Sequence, residues 1–102
     1  MTTQTKPITA DSLIAKYAAG IAFVAEEEPA TTLHDFTYQV TVAAEHFEGA
    51  GINGGDELET AATYLVDAAS STDPTERAVL LKKAARNLAY ADDMVSEFRD
   101  MC

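Results

Sequence analysis

The chain has 102 residues, of which 47% are hydrophobic, and a formal net charge of −10. This length predicts one domain with a single core, and the apolar content argues against wholesale disorder. The lone cysteine, Cys102, excludes an internal disulfide or a cysteine-rich metal site, and only seven residues are Lys or Arg, which disfavours direct nucleic-acid binding. No leader or membrane-spanning segment is recognisable, so we expect a soluble, cytoplasmic protein without membrane contact.

The first predicted helix follows Thr9, a favourable N-cap, with Ile8 and Leu13 spaced as a hydrophobic staple. Apolar residues recur near the helical period up to Val24, and Pro29 ends the segment. Residues 1–8 are expected to be a flexible N-terminus preceding a single helical domain at 9–102.

The second segment, from about Thr32 to Glu48, is ambiguous. Residues 36–42 alternate strictly and are rich in strand-forming types, yet the same region also carries a continuous helical apolar face. A lone strand would leave its backbone hydrogen bonds unpaired, and no convincing second strand is visible. Helix is therefore favoured over strand here.

Four of the five glycines lie between Glu48 and Asp56, which indicates a flexible connection. A third helix is predicted to open with Asp56 and Glu59 in capping-box spacing. It would turn the following residues inward: Leu58, Ala61, Ala62, Leu65 and Ala69.

The fourth helix has the strongest start signal, because Asp73 is followed by Pro74 and Glu76 at their preferred positions. It is expected to run to about Asp100 and bury one stripe: Leu81, Ala84, Ala85, Leu88, Ala91 and Val95. Such a helix exceeds the others in length, so its end should overhang. That would leave Met94, Phe98 and Met101 partly uncovered and make a homodimer through this helix possible.

Together these patterns predict an all-α fold, a small bundle of about four helices with a long C-terminal helix. Asp11-Ser12-Leu13 resembles the modification motif of acyl carrier proteins, where a full helix precedes the serine; too few residues precede Ser12 here. His34 and His46 do not share the spacing of a metal site and are expected to face solvent. We therefore predict a non-enzyme with no catalytic residue, cofactor or metal.

The uneven charge distribution is the strongest functional signal. From Tyr17 to Glu76 the sequence contains twelve acids and no Lys or Arg. Three of these acids crowd the end of the first helix, where the helix dipole disfavours anions. The candidate partner-binding residues are Glu26, Glu27, Glu28, Glu45, Glu48, Asp56, Glu57, Glu59 and Asp67.

In size, acidity and helical make-up, the chain resembles small phage-encoded inhibitors, notably anti-CRISPR proteins and other DNA mimics. The resemblance implies a partner with a basic surface, such as a Cas effector or a nuclease, held in a salt-sensitive complex. Two alternatives stay open: an immunity protein or antitoxin that masks a basic toxin, and a homodimeric structural or assembly protein.

Overall fold

The computed structural model describes residues 8–101, apart from the side chains of residues 98, 99 and 101. Within that range the chain forms four helices and no strand: α1 (Ala10–Ala25), α2 (Leu33–Ala50), α3 (Gly55–Ser70) and α4 (Pro74–Met101). The predicted all-α bundle with a long C-terminal helix is confirmed. Residues 36–42, the ambiguous stretch, lie inside α2.

Side chains cap three of the helices where the sequence places capping residues. The Thr9 hydroxyl accepts a hydrogen bond from the Ser12 backbone N–H, and the Ser12 hydroxyl accepts one from the Thr9 N–H. Thr32 accepts from the Asp35 N–H, and Asp73 Oδ1 accepts from the Thr75 N–H at 3.0 Å. Each bond satisfies a donor that the first helical turn would otherwise leave unpaired.

The start of α3 differs from the prediction. Its N-cap is Gly54, which has φ +112° and makes no side-chain cap, so the capping box predicted from Asp56 and Glu59 is wrong. The connection before it is also shorter than predicted, because α2 continues to Ala50 and only residues 51–54 intervene. Gly54 and Gly55 are buried, so this connection packs on the bundle.

Contacts along the helices fix their directions. Ile8, Thr9, Leu33 and Pro74 line one cavity, so α1, α2 and α4 begin at one end of the bundle, called here the lower end. At the opposite, upper end, a Cβ added to Gly20 of α1 would lie 3.2 Å from Val95 of α4. Three helices therefore run upward, and α3 runs down between α2 and α4.

The connection at 26–32 makes the shared direction of α1 and α2 possible, because it returns along α2 from the upper end. Val24 lies beside His46 near the end of α2, and Glu28 lies beside Gln39 in the middle of that helix. Ala30, within the connection, is buried. The chain thus reaches the lower end before α2 begins at Leu33.

The four helices enclose one hydrophobic core. Its largest fully buried side chains come from all four helices: Val24, Phe36, Val40, Phe47, Leu58, Leu65 and Leu88. Ala68 is buried and Ala69 is exposed, so the predicted inward position of Ala69 is wrong by one residue. Ile8, assigned to the flexible N-terminus, is half-buried against this core, while residues 1–7 lie outside the described range.

The predicted overhang of α4 is described only in part. Met94 is half-buried and packs on the core, where its side chain meets the turn at Gly54. The side chains of Phe98 and Met101, assigned to the same uncovered end, lie outside the described residues. At Met94, the apolar end is covered by the connection between α2 and α3.

Candidate acidic binding surface

The segment 26–28 begins with a left-handed residue. Glu26 has φ 59° and caps α1 by donating its backbone N–H toward Ala22 O and Phe23 O. Glycine is the usual residue at such a position, since a side chain costs roughly 1 kcal/mol there. The Glu26 side chain is 83% exposed. The fold thus places a solvent-exposed carboxylate at a position where glycine would be less strained.

His46 and Gln39 of α2 hold this segment in place. His46 Nδ1 lies 2.5 Å from Val24 O and 3.9 Å from Glu26 Oε2. Because a carbonyl oxygen only accepts, Nδ1 carries the hydrogen of this bond. The prediction that both histidines face solvent is correct for His34, whereas His46 is half-buried.

Gln39 makes the second attachment. Its Nε2 donates to Glu28 O at 2.7 Å and to Glu27 Oε1 at 3.2 Å, while the residue is only 5% exposed. The sequence did not predict this role. Gln39 is a polar residue within the alternating stretch, and such a residue is expected to point toward solvent. Its burial follows from the returning connection, which covers this side of α2.

A second group of acids forms where α2 ends and α3 begins. Glu48 of α2 lies close enough to Glu59 and Asp56 of α3, and to Glu45 of its own helix, to interact with them electrostatically. A hydrogen bond with the Glu59 carboxyl, followed by repulsion from the Glu59 charge, raises the pKa of Glu48 above its ordinary value. Partial desolvation and the charges of Asp56 and Glu45 act in the same direction. The fold therefore crowds like charges against their mutual repulsion.

A surface cleft of about 410 Å³ lies beside this second group. Glu48, Asp56 and Glu57 supply its carboxylates, and Tyr90 and Met94 of α4 supply part of its apolar wall. Tyr90 is 69% exposed. Sequence reasoning did not single out Tyr90, although it stands between the inward positions Leu88 and Ala91, off the buried stripe. The position of Tyr90 relative to Leu88 and Ala91 on the helix could therefore have predicted that its ring faces outward.

Not every predicted acid joins this end of the molecule. Asp67 lies near the lower end, where α3 terminates, and lines a different depression with Glu76 and Lys83. Conversely, the second half of α4 brings in Asp92, Asp93 and Glu97, all exposed, which were not among the predicted site residues.

The acids of the upper end are named here the upper-end acids. They are Glu26, Glu45, Glu48, Asp56, Glu57, Glu59, Asp92, Asp93, Glu97 and Asp100. Glu27 and Glu28 lie lower, beside Gln39 in the middle of α2. The Lys and Arg residues with described side chains all fall in the first half of α1 or α4: Lys16, Arg77, Lys82, Lys83 and Arg86. Most of the chain's negative charge is therefore placed at one end of the bundle.

The structure also describes the residues that bear on metal binding, the acyl-carrier-like motif and membrane insertion. Over that range no group of three His, Cys, Asp or Glu side chains is arranged to hold a metal ion. Ser12, the serine of the acyl-carrier-like motif, is engaged in the α1 cap, where its hydroxyl also donates to Thr9 O at 2.8 Å. None of the described helices combines the length and apolar character needed to cross a bilayer.

Comparison with protein-family models, with curated proteins and with solved structures finds no match to this chain.

Proposed function

We propose that this chain is a non-enzymatic, cytoplasmic binding protein that inhibits a basic, nucleic-acid-binding partner by covering its binding surface. The observation that carries the proposal is the gathering of the upper-end acids, which within residues 8–101 share their end of the bundle with a single Lys or Arg residue, Arg99 of α4. A nucleic-acid backbone is itself a regular row of negative charges, so a groove lined with Lys and Arg for phosphates also attracts carboxylates. The chain would act in the manner of an anti-CRISPR protein or another DNA mimic.

The cost of the arrangement supports a role beyond solubility. Glu26 caps the end of α1 and Glu48 stands in the final turn of α2, where the partial negative charge of the helix end disfavours anions. The pKa of Glu48 is raised by neighbouring carboxyl groups. Charges scattered over the surface would give the same solubility without this repulsion. Residues that break local rules without local compensation tend to mark functional sites.

The test is displacement of fluorescently labelled DNA or guide RNA from a panel of purified Cas effectors and nucleases. We expect the chain to displace nucleic acid from at least one member, less effectively as salt concentration rises. The variant Glu45→Gln/Glu48→Gln/Glu59→Gln, which neutralises three upper-end acids, should raise the half-inhibitory concentration at least about tenfold, equivalent to roughly 1.4 kcal/mol.

A matched control removes the same number of charges from the lower end: Asp11→Asn/Asp35→Asn/Asp67→Asn. This control should inhibit like the unmodified chain. The proposal fails if no member of the panel is inhibited, or if both triple variants inhibit equally well.

A further inference from the structure

We propose that the cleft between the end of α2, the first turn of α3 and Tyr90 of α4 receives an arginine side chain of the basic partner. This inference rests on the proposed function and specifies how the partner is recognised. It depends on the cleft's shape and mixed lining as well as on its charge, since an aromatic ring stands exposed beside the carboxylates.

Tyr90 is the feature that charge alone does not explain. It is 69% exposed, the largest exposed fraction among the described large hydrophobic residues, and its ring borders the cleft. Ile52 and Met94 line the same cleft and are half-buried against the core, so they extend the apolar wall next to the ring. An apolar wall of this kind suits the aliphatic part of a long side chain.

The cleft also has an anionic part. Glu48, Asp56 and Glu57 contribute carboxylates, and Asp56 and Glu57 lie in the first turn of α3, which fixes their backbone. A hydrogen bond with the Glu59 carboxyl and repulsion from the neighbouring carboxylates already raise the pKa of Glu48, so an incoming cation relieves repulsion as well as gaining attraction. The ligand that complements this lining carries a positive charge.

Arginine combines the two requirements better than lysine does. Its planar guanidinium stacks on an aromatic face while its N–H groups donate to carboxylates in fixed geometry. The Lys ammonium is a compact, strongly hydrated charge without that planar match. Elsewhere the fold already pairs cations with rings, since Lys16 Nζ lies 5.4 Å from the Tyr17 ring centroid and Lys83 Nζ 5.7 Å from that of Tyr64. Tyr90 is 69% exposed, so a cation of the partner can reach its ring from solvent.

The experiment compares hexa-arginine and hexa-lysine peptides, which have equal length and charge, by fluorescence anisotropy at low ionic strength. We expect the full chain to bind hexa-arginine about two- to fivefold more tightly than hexa-lysine, as a ring contact at an exposed site allows. Tyr90→Leu, which keeps an apolar side chain, should abolish this preference. Tyr38→Leu is the matched control, because Tyr38 is also exposed, at 56%, but lies outside the cleft.

The outcomes separate this inference from the proposed function. The cleft inference is overturned if the chain does not prefer hexa-arginine, or if the preference survives Tyr90→Leu. That conclusion holds even if both peptides bind more weakly to the charge variant Glu45→Gln/Glu48→Gln/Glu59→Gln. If neither peptide's affinity responds to that charge variant, the acidic surface itself is not the binding site. If Tyr90→Leu loses the preference for hexa-arginine and Tyr38→Leu keeps it, the result supports arginine binding in the cleft.

Discussion

Gly54 is the residue on which the junction of α2, α3 and α4 depends. Its φ of +112° lies in the region that side chains rarely adopt, and a Cβ at this position would lie 3.1 Å from Met94 Cβ and 3.2 Å from Phe47 Cε2. Both the backbone conformation and the neighbouring side chains therefore require a glycine. Gly49, five residues earlier, is helical and has nothing within 4 Å of the same added atom.

These two glycines give a matched pair of substitutions. Gly54→Ala should lower the free energy of unfolding by about 1–3 kcal/mol, through the left-handed backbone and the displaced Met94. Gly49→Ala should raise it by about 0.5–1 kcal/mol, because alanine loses less entropy in a helix. Urea denaturation followed by circular dichroism measures both. Equal effects of the two substitutions would show that the turn is not packed as described.

At the scale of elements, the interface between α2 and α3 contains a repulsive cluster. Because the pKa of Glu48 is raised in the folded chain, ionising it costs more there than in the unfolded chain. The penalty is fully present above the folded pKa and disappears as the pH falls below the ordinary value of 4.5, where the carboxyl is protonated in both states.

Glu48→Gln should therefore be more stable than the unmodified chain at neutral pH, with an advantage that shrinks as the pH falls toward 4.5. Thermal unfolding across this pH range measures the difference. Glu76→Gln is the control, since Glu76 lies in the first turn of α4, where the helix dipole favours a negative charge. A Glu48→Gln protein that is less stable at neutral pH would contradict the described cluster.

Elements whose signals are local were predictable from the sequence, and those set by distant contacts were not. Thr9 and Asp73 cap their helices through neighbouring backbone groups, so their positions are readable from a few residues. The start of α3 was misplaced because it depends on the conformation of Gly54 and on Met94, 40 residues later in the chain.

The same distinction holds for the candidate site. The sequence shows that Glu26, Glu48 and Glu59 belong to a stretch without Lys or Arg. It does not show that the connection at 26–32 returns along α2, since that path depends on Gln39 and His46 meeting backbone carbonyls 11 and 22 residues away. That path decides that Glu26 lies beside His46 near the end of α2.

At the scale of the whole molecule, the placement of charge predicts a response to salt. The upper-end acids repel one another, and raising ionic strength from 0.01 M to 1 M shortens the screening length from about 30 Å to about 3 Å. Added sodium chloride should therefore raise the melting temperature of the unmodified chain.

The two triple variants test whether location matters beyond total charge. Glu45→Gln/Glu48→Gln/Glu59→Gln should gain less from salt than Asp11→Asn/Asp35→Asn/Asp67→Asn, although both lose three acids. Differential scanning fluorimetry over a salt series measures the two slopes. Identical slopes would mean that the lower-end and upper-end acids contribute alike to repulsion.

The shared direction of α1, α2 and α4 has a consequence for how the molecule approaches another. Three helix macrodipoles point their negative ends toward the upper-end acids, and one opposes them, so backbone and side chains polarise the bundle in the same sense. A positively charged body nearby exerts a torque on such an object and turns its upper end forward before contact. Fewer collisions are then wasted on wrong orientations, and the rate of productive encounter rises without any additional contact.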